Sequence, residues 1–119
     1  MNILDLQHVF DRFHPGWGKY IDCGEGWYQL IFDCDAELAA LDPDYQVCQI
    51  KQKFGGLRYY FISEKSDVVD EMNAISLKYE QKSFSVCELT GKPGRLMVRN
   101  RWYKTLDPEI GDSTGYLLA

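Results

Sequence analysis

The chain has 119 residues, of which 45% are hydrophobic and 14% aromatic, enough for the core of one domain spanning residues 1–119. Its formal net charge of −5 argues against general binding to nucleic acid or anionic membranes, both of which depend on positive charge. The same acidity is compatible with docking onto a basic partner.

The first residues, MNILDLQHVFDRFHPG, lack the basic segment and apolar run of a secretory signal. No stretch approaches the ~20 apolar residues that cross a bilayer. The four cysteines, Cys23, Cys34, Cys48 and Cys87, show no C-x-x-C spacing. We therefore expect a cytoplasmic protein with reduced, half-buried thiols.

Three helices are predicted from apolar residues that recur every three or four positions. The first covers residues 2–13 with Asn2 as its cap, the second runs from Gly26 to about Leu41, and the third covers about 67–82 with Ser66 as its cap. The residues expected to face the core are Ile3, Leu6, Phe10 and Phe13 in the first helix, Trp27, Ile31, Cys34, Leu38 and Leu41 in the second, and Val68, Met72, Ile75 and Tyr79 in the third.

Residues 45–54 and 57–63 predict a β-hairpin closed by Gly55-Gly56, since glycine tolerates the positive φ angles of a two-residue turn. This turn pairs Phe54 with Leu57 and sets the register of both strands. The face expected on the core carries Cys48, Ile50, Gln52, Phe54, Leu57, Tyr59, Phe61 and Ser63. The opposite face carries Gln49, Lys51, Lys53, Arg58, Tyr60 and Ile62.

The C-terminal third predicts short strands at Phe84–Leu89, Arg95–Arg99 and Trp102–Leu106, followed by an irregular arm at Pro108–Ala119. The element order is then ααββαβββ. Because the strands meet mainly through hairpins, we expect an α+β fold, with an antiparallel sheet of about five strands and three helices.

The outer face of the second helix is a candidate protein-binding surface, because interfaces favour aromatic anchors surrounded by polar groups. Its aromatic and acidic residues, together with the acids just beyond the helix, are Tyr28, Phe32, Asp33, Asp35, Glu37, Asp42 and Asp44. The alternative is that this helix is covered on both sides and that Phe32 belongs to the core.

The outer face of the hairpin offers a second candidate, made of Lys51, Lys53, Arg58 and Tyr60. Arginine can bind a phosphate or carboxylate with two hydrogen bonds, and tyrosine can stack on a nucleic-acid base. The alternative is an ordinary solvated sheet face whose charges discourage aggregation.

Neither histidine, His8 or His14, has a Cys, Asp or Glu at the spacing of a metal site. The chain lacks the sequence signatures of serine hydrolases, phosphate-binding loops and zinc proteases. We therefore expect no catalytic residue, no cofactor and no metal. An enzyme using a histidine with a nearby carboxylate stays open as a third hypothesis.

Several segments resemble a family of small, mostly uncharacterised bacterial and phage proteins. They are Gly26-Trp27-Tyr28-x-Leu30, the run from Gln49 to Tyr60 that includes K-F-G-G-L-R, Cys87-Glu88-x-x-Gly91-x-Pro93-Gly94-x-Leu96, and Trp102-x-Lys104-Thr105-Leu106. The resemblance implies a structural zinc site with three cysteines and a histidine. This chain keeps only Cys87, with Thr90 at the second position, Asp107 at the third, and Ile110 or a neighbour at the fourth. The resemblance therefore predicts no bound zinc here and implies no activity.

Small size, acidity and the aromatic–acidic helix face favour a non-enzymatic immunity protein that neutralises a bacterial toxin, such as a basic nuclease delivered in contact-dependent growth inhibition. The alternative is a nucleic-acid-associated accessory protein of phage or mobile-element origin that uses the basic hairpin face.

Overall fold

Two three-stranded sheets form the framework of residues 5–119, the part of the chain that the computed structural model describes. In the first sheet, the central strand β2 (Gln46–Lys53) pairs in parallel with β1 (Ile21–Asp22) and antiparallel with β3 (Gly56–Ile62). In the second sheet, the central strand β4 (Arg95–Arg99) pairs antiparallel with β5 (Trp102–Leu106) and β6 (Leu117–Leu118). The α+β class is confirmed, but the prediction of one sheet of about five strands is wrong.

Within residues 5–119 there are four α-helices and one 3₁₀ turn, so the prediction of three helices is also wrong. The α-helices are α1 (Gln7–Phe10), α2 (Tyr28–Leu41), α3 (Val69–Ser83) and α4 (Pro108–Ser113), and the 3₁₀ turn at Glu25–Trp27 leads directly into α2. None of these helices combines the length and apolarity that a membrane span requires.

Helix α2 contributes the centre of the larger core. Trp27, Ile31, Cys34 and Leu38 have no exposed surface, as the helical spacing predicted, and Leu41 is half-buried. In α3, Met72 and Tyr79 are buried as predicted, whereas Ser66 does not cap the helix, which begins after Val68 with no side-chain cap.

The first helix is much shorter than predicted. Residues 2–4, including Asn2 and Ile3, lie outside the described residues, and α1 ends at Phe10. The chain then turns toward β2, because Val47 N–H donates to Arg12 O at 2.8 Å and His14 N–H donates to Val47 O at 2.8 Å. Phe13 is therefore buried beside a strand rather than on a helix.

The first hairpin turns at Phe54-Gly55, one residue before the predicted Gly55-Gly56. Moving a turn by one residue shifts the opposing strand by two, and a shift of two keeps each side chain on its face. Ile50 therefore pairs with Tyr59 rather than with Phe61, although all three still point to the core side.

Cys48 and Phe54 are the exceptions on that face. A β-bulge between Val47 and Gln49 places Val47, which has no exposed surface, in the core, so the predicted core position of Cys48 is wrong: it is half-buried and belongs to neither hydrophobic cluster. Phe54 lies at the other end of the strand. It sits in the turn and is 66% exposed instead of packing against Leu57, so its predicted place in the core is wrong.

Helix α3 covers the free edge of β3 through two serines. Leu57 N–H donates to Ser83 Oγ at 2.9 Å, and Ser76 Oγ donates to Tyr59 O at 2.9 Å. The two bonds satisfy the backbone N–H of Leu57 and the backbone C=O of Tyr59, which could otherwise pair with a strand of another chain. Covering an edge strand in this way is one means by which proteins avoid aggregation.

The C-terminal third differs most from expectation. Residues 84–91 form turns, with only an isolated bridge between Val86 and Pro93, so the predicted strand Phe84–Leu89 is wrong. The predicted irregular arm instead contains α4 and β6. Helix α4 begins at Pro108, and its N-cap Asp107 accepts a hydrogen bond from Glu109 N–H at 3.0 Å.

Candidate binding groove

The turn of the first hairpin, between β2 and β3, lies beside the turn between β4 and β5, and an open groove of about 380 Å³ runs between them. Residues 51–54 of the first hairpin form one wall, and residues 100–103 of the β4–β5 hairpin form the other. We call this site the basic aromatic groove, because its lining includes three cationic and three aromatic side chains. Its volume falls within the range of small-ligand sites.

Gly55 joins the two walls. Its carbonyl accepts a buried hydrogen bond from Thr105 Oγ1 at 2.7 Å, and its N–H donates to Gln52 Oε1 at 2.6 Å. A Cβ at this position would clash with Leu96 and lie 3.5 Å from Tyr103 Cβ, and the φ of +86° favours glycine. The turn of the first hairpin is therefore fixed against the second sheet.

The second wall is also a tight turn with positive φ at both central residues, 49° at Asn100 and 69° at Arg101. Asparagine tolerates this conformation better than most residues, whereas arginine adopts it rarely. The turn leads into Trp102 and Tyr103, which are 69% and 38% exposed.

The cations of the groove are available to a ligand. Lys51, Lys53 and Arg101 form no ion pair with any residue in 5–119. Asp22 is the register neighbour of Lys51 across β1 and β2, and it is the acid placed nearest by the sheet. Lys53 Nζ lies 5.7 Å from the centre of the Phe54 ring. Positive charge and aromatic surface thus occur together at this site.

The structure brings together half of the basic face that the sequence predicted. Lys51 and Lys53 line the groove, whereas Arg58 pairs with Glu80 at 3.4 Å. Tyr60, which is 40% exposed, lies outside the groove lining. Four further residues of the groove were not predicted as site residues, because no sequence pattern places the β4–β5 turn beside the first hairpin: Phe54, Arg101, Trp102 and Tyr103.

The acidic helix face is not a continuous exposed surface. Asp35 and Asp42, both expected outside, are 4% and 3% exposed. Phe32 is half-buried, packs against the core and makes an edge-on contact with His8, with 5.3 Å between ring centroids. That result agrees with the alternative that Phe32 belongs to the core.

The remaining residues of the acidic helix face are either half-buried or bound to other side chains. Tyr28 is half-buried, and Glu37 binds Lys78 at 2.5 Å and also accepts a hydrogen bond from Tyr79. Asp33 accepts a bond from Gln29 at 2.9 Å, which leaves Asp44 as the exposed acid of the predicted set.

Asp35 is the centre of a buried polar cluster. Its carboxylate lies 2.8 Å from Arg12 Nε and 3.2 Å from His8 Nε2, and it accepts a hydrogen bond from Tyr45 OH at 2.5 Å. The hydroxyl of Tyr45 also bonds that of Tyr59 at 2.6 Å. Burial, followed by the neighbouring Tyr59, raises the pKa of Tyr45 well above its ordinary value, so this phenol stays neutral.

The two histidines do not share a site with the groove. His8 is bound to the buried cluster, and His14 Nδ1 accepts a hydrogen bond from Gly16 N–H at 3.1 Å within its own loop. Neither histidine lines the groove.

Cys87 lies in the turn that the resemblance associates with zinc. Burial raises the pKa of its thiol, but hydrogen bonds from Thr90, Asp107 and Leu89 outweigh it, and the pKa is lowered overall. No group of three or more His, Cys, Asp or Glu side chains that could hold a metal ion occurs in residues 5–119. Backbone hydrogen bonds stabilise this turn, among them the bond from Cys87 N–H to Lys92 O at 2.7 Å.

The hydrogen bonds to the Asp42 carboxylate predict a loss of stability in acid. This carboxylate accepts hydrogen bonds from Ser63 Oγ at 2.6 Å and Asp44 N–H at 2.9 Å, and the Ser63 bond is the main cause that lowers its pKa below 3.8. The unfolded chain therefore takes up this proton first. The stabilisation that the ionised Asp42 carboxylate provides should be complete well above pH 3.8. It should disappear as the pH falls through the lowered pKa of Asp42 in the folded protein.

The Asp42→Asn variant should accordingly be less stable than wild type at neutral pH, and the difference should shrink at about pH 2.5. Urea unfolding at both pH values measures this, with the exposed Asp67→Asn as the control variant. An Asp42→Asn difference that stayed constant between the two pH values would contradict the assignment.

Comparison of the chain with family models, curated proteins and solved structures found no match. The groove and its chemistry therefore carry the functional argument.

Proposed function

We propose that this protein is a binding protein that holds nucleic acid in the basic aromatic groove. The observation that carries the proposal is the joint presence, in one groove, of three exposed aromatic residues and three cations that form no ion pair within residues 5–119. Cations neutralise phosphates and aromatic rings stack on bases, and nucleic acid offers both groups at close spacing.

The charge distribution supports a restricted site rather than a general one. The chain has 13 basic and 18 acidic residues, and three of the basic residues line the groove. The other ten basic residues and all 18 acidic residues lie outside the groove lining, so the rest of the molecule carries a formal charge of −8. Such a surface repels polyanions, and attraction is therefore concentrated at the groove.

The toxin-inhibitor hypothesis depends on a different surface. It needs Phe32 as an anchor and acids such as Asp35 and Asp42 to attract a basic partner, but these three side chains are half-buried or buried. The geometry favours the nucleic-acid hypothesis because its three aromatic side chains are exposed and its cations form no ion pair within residues 5–119.

Fluorescence anisotropy with a labelled oligonucleotide of about 12 nucleotides tests the proposal. Three phosphate contacts to a single strand predict that log affinity falls against log salt with a slope of about −2. The variant Lys51→Gln/Lys53→Gln/Arg101→Gln should bind more than about 10-fold more weakly and should lose most of that slope.

A triple variant with the same charge change outside the groove, Lys65→Gln/Lys92→Gln/Arg95→Gln, provides the matched control and should keep most of the affinity and the slope. If both triple variants weakened binding equally, the interaction would follow net charge, and the groove would not be the site. If wild type showed no binding at about 50 mM salt, the proposed function would be wrong.

A further inference from the structure

Phe54 has an unusual backbone conformation. Its φ is +53°, in the left-handed region that bulky side chains rarely adopt, and the glycine that follows also has positive φ. Asparagine followed by glycine is the sequence that this kind of turn favours. The phenylalanine is therefore a poor choice for the turn itself.

The ring of Phe54 does not offset that cost by packing in the core. It is 66% exposed and belongs to neither hydrophobic cluster. It does line the basic aromatic groove, where Lys53 Nζ lies 5.7 Å from the ring centre. Strained backbone is often retained where it positions a functional group, and the position of this ring agrees with that explanation.

The first turn is also held in place. Thr105 Oγ1 bonds the carbonyl of Gly55 at 2.7 Å, and Gly55 lies against Leu96 and Tyr103 of the second sheet. Because the turn is anchored on this side, the backbone that carries the Phe54 ring is held in place before any ligand arrives. Rigid aromatic groups lose little entropy on binding.

We infer that the groove binds unpaired bases, so that single-stranded nucleic acid is its ligand class and Phe54 is the stacking residue. This inference rests on the proposed function. Lys51, Lys53 and Arg101 lie along the same groove and would bind the phosphates that flank the stacked base.

The shape of the site disfavours a duplex. Sequence in duplex DNA is read by a helix or a two-stranded ribbon that enters the major groove. Here the first hairpin is fixed against the second sheet through Gly55, and the site between the two turns is concave. A base must therefore leave its stack to enter this site, and the free energy of unstacking and unpairing is lowest for a base in a single strand.

Anisotropy measurements on wild type, Phe54→Tyr, Phe54→Leu and Phe54→Asn test the inference, with a single-stranded probe and a duplex of the same sequence. We expect wild type and Phe54→Tyr to bind the single strand equally and the duplex at least about 10-fold more weakly. Phe54→Leu and Phe54→Asn should lose about 10- to 100-fold in affinity for the single strand, because both lack the ring.

Urea unfolding of the same variants separates stacking from a structural role. The urea midpoint of Phe54→Asn should rise above that of wild type, because asparagine suits the left-handed turn, while its affinity falls. A residue with a purely structural role would move stability and affinity in the same direction.

If wild type bound neither probe, the proposed function and this inference would both be wrong. If wild type bound the single strand but Phe54→Leu bound it as tightly, or the duplex bound equally well, the proposed function would stand and only this inference would fail.

Discussion

Replacing Asp35 by alanine is expected to lower the free energy of unfolding by about 3 kcal/mol, because it leaves the largely buried cation of Arg12 without its partner. Arg12 Nε lies 2.8 Å from the Asp35 carboxylate. The arginine would keep its contacts to the carbonyl oxygens of Pro43 and Tyr45, at 2.7 and 3.3 Å, but its Nε would lose its neighbouring charge. The Arg12 side chain is 21% exposed, so partial solvation places the loss at the lower end of the range for broken buried pairs.

Urea unfolding at neutral pH measures this loss, and Asp33→Ala on the same helix provides the control. Among residues 5–119, only Gln29 binds the Asp33 carboxylate, at an exposed position, so its removal should change stability by no more than about 0.5 kcal/mol. If the two alanine variants unfolded at the same urea concentration, the buried pair would make no net contribution to folding.

The spacing of neighbouring residues was sufficient to predict helix α2 and part of the first hairpin. The apolar spacing from Trp27 to Leu38 defines α2 because each of these residues lies on the side of the helix that packs on the core. Between Gln49 and Lys53 the inner and outer faces of the first hairpin were also predictable, since alternation along a regular strand does not depend on the identity of the turn residues. The β-bulge between Val47 and Gln49 interrupts this alternation, and the local pattern did not predict it.

Long-range contacts decide what the sequence could not show. The first hairpin turns at Phe54-Gly55 rather than at Gly55-Gly56 in a structure where Thr105, 50 residues away, binds the carbonyl of Gly55. This contact holds the turn of the first hairpin against the second sheet, and residues 100–103 of that sheet's hairpin form the other wall of the groove. No spacing rule within either hairpin indicates that the two turns meet.

The buried acids illustrate the same limit. A helical wheel places Asp35 away from the centre of the core stripe, and an acidic residue there is normally exposed. Arg12 and Tyr45 come from outside the helix and cover this carboxylate, so it is buried with partners. Its burial therefore depends on tertiary structure that the local sequence does not contain.

Gly26→Ala is expected to destabilise the protein by about 3 kcal/mol, because the new methyl group would meet backbone atoms that cannot move independently. A Cβ at Gly26 would lie 2.6 Å from the Glu88 carbonyl oxygen and 2.6 Å from Gly91 N, and closer still to the carbonyl oxygen of Cys87. Gly26 N–H donates to Glu88 O at 2.8 Å, so separating the segments would also weaken that hydrogen bond. Denaturant unfolding measures the loss.

The same substitution should also weaken oligonucleotide binding, since the contact at Gly26 joins the start of α2 to the turn that leads into the second sheet. That sheet supplies residues 100–103 of the groove. Gly16→Ala is the matched control, because its Cβ would meet only the His14 ring, at 3.4 Å, and its stability should change by no more than about 0.5 kcal/mol. Equal stability of the two variants would show that the segments around Gly26 and Glu88 can separate at little cost, and the fixed geometry between α2 and the second sheet would then be wrong.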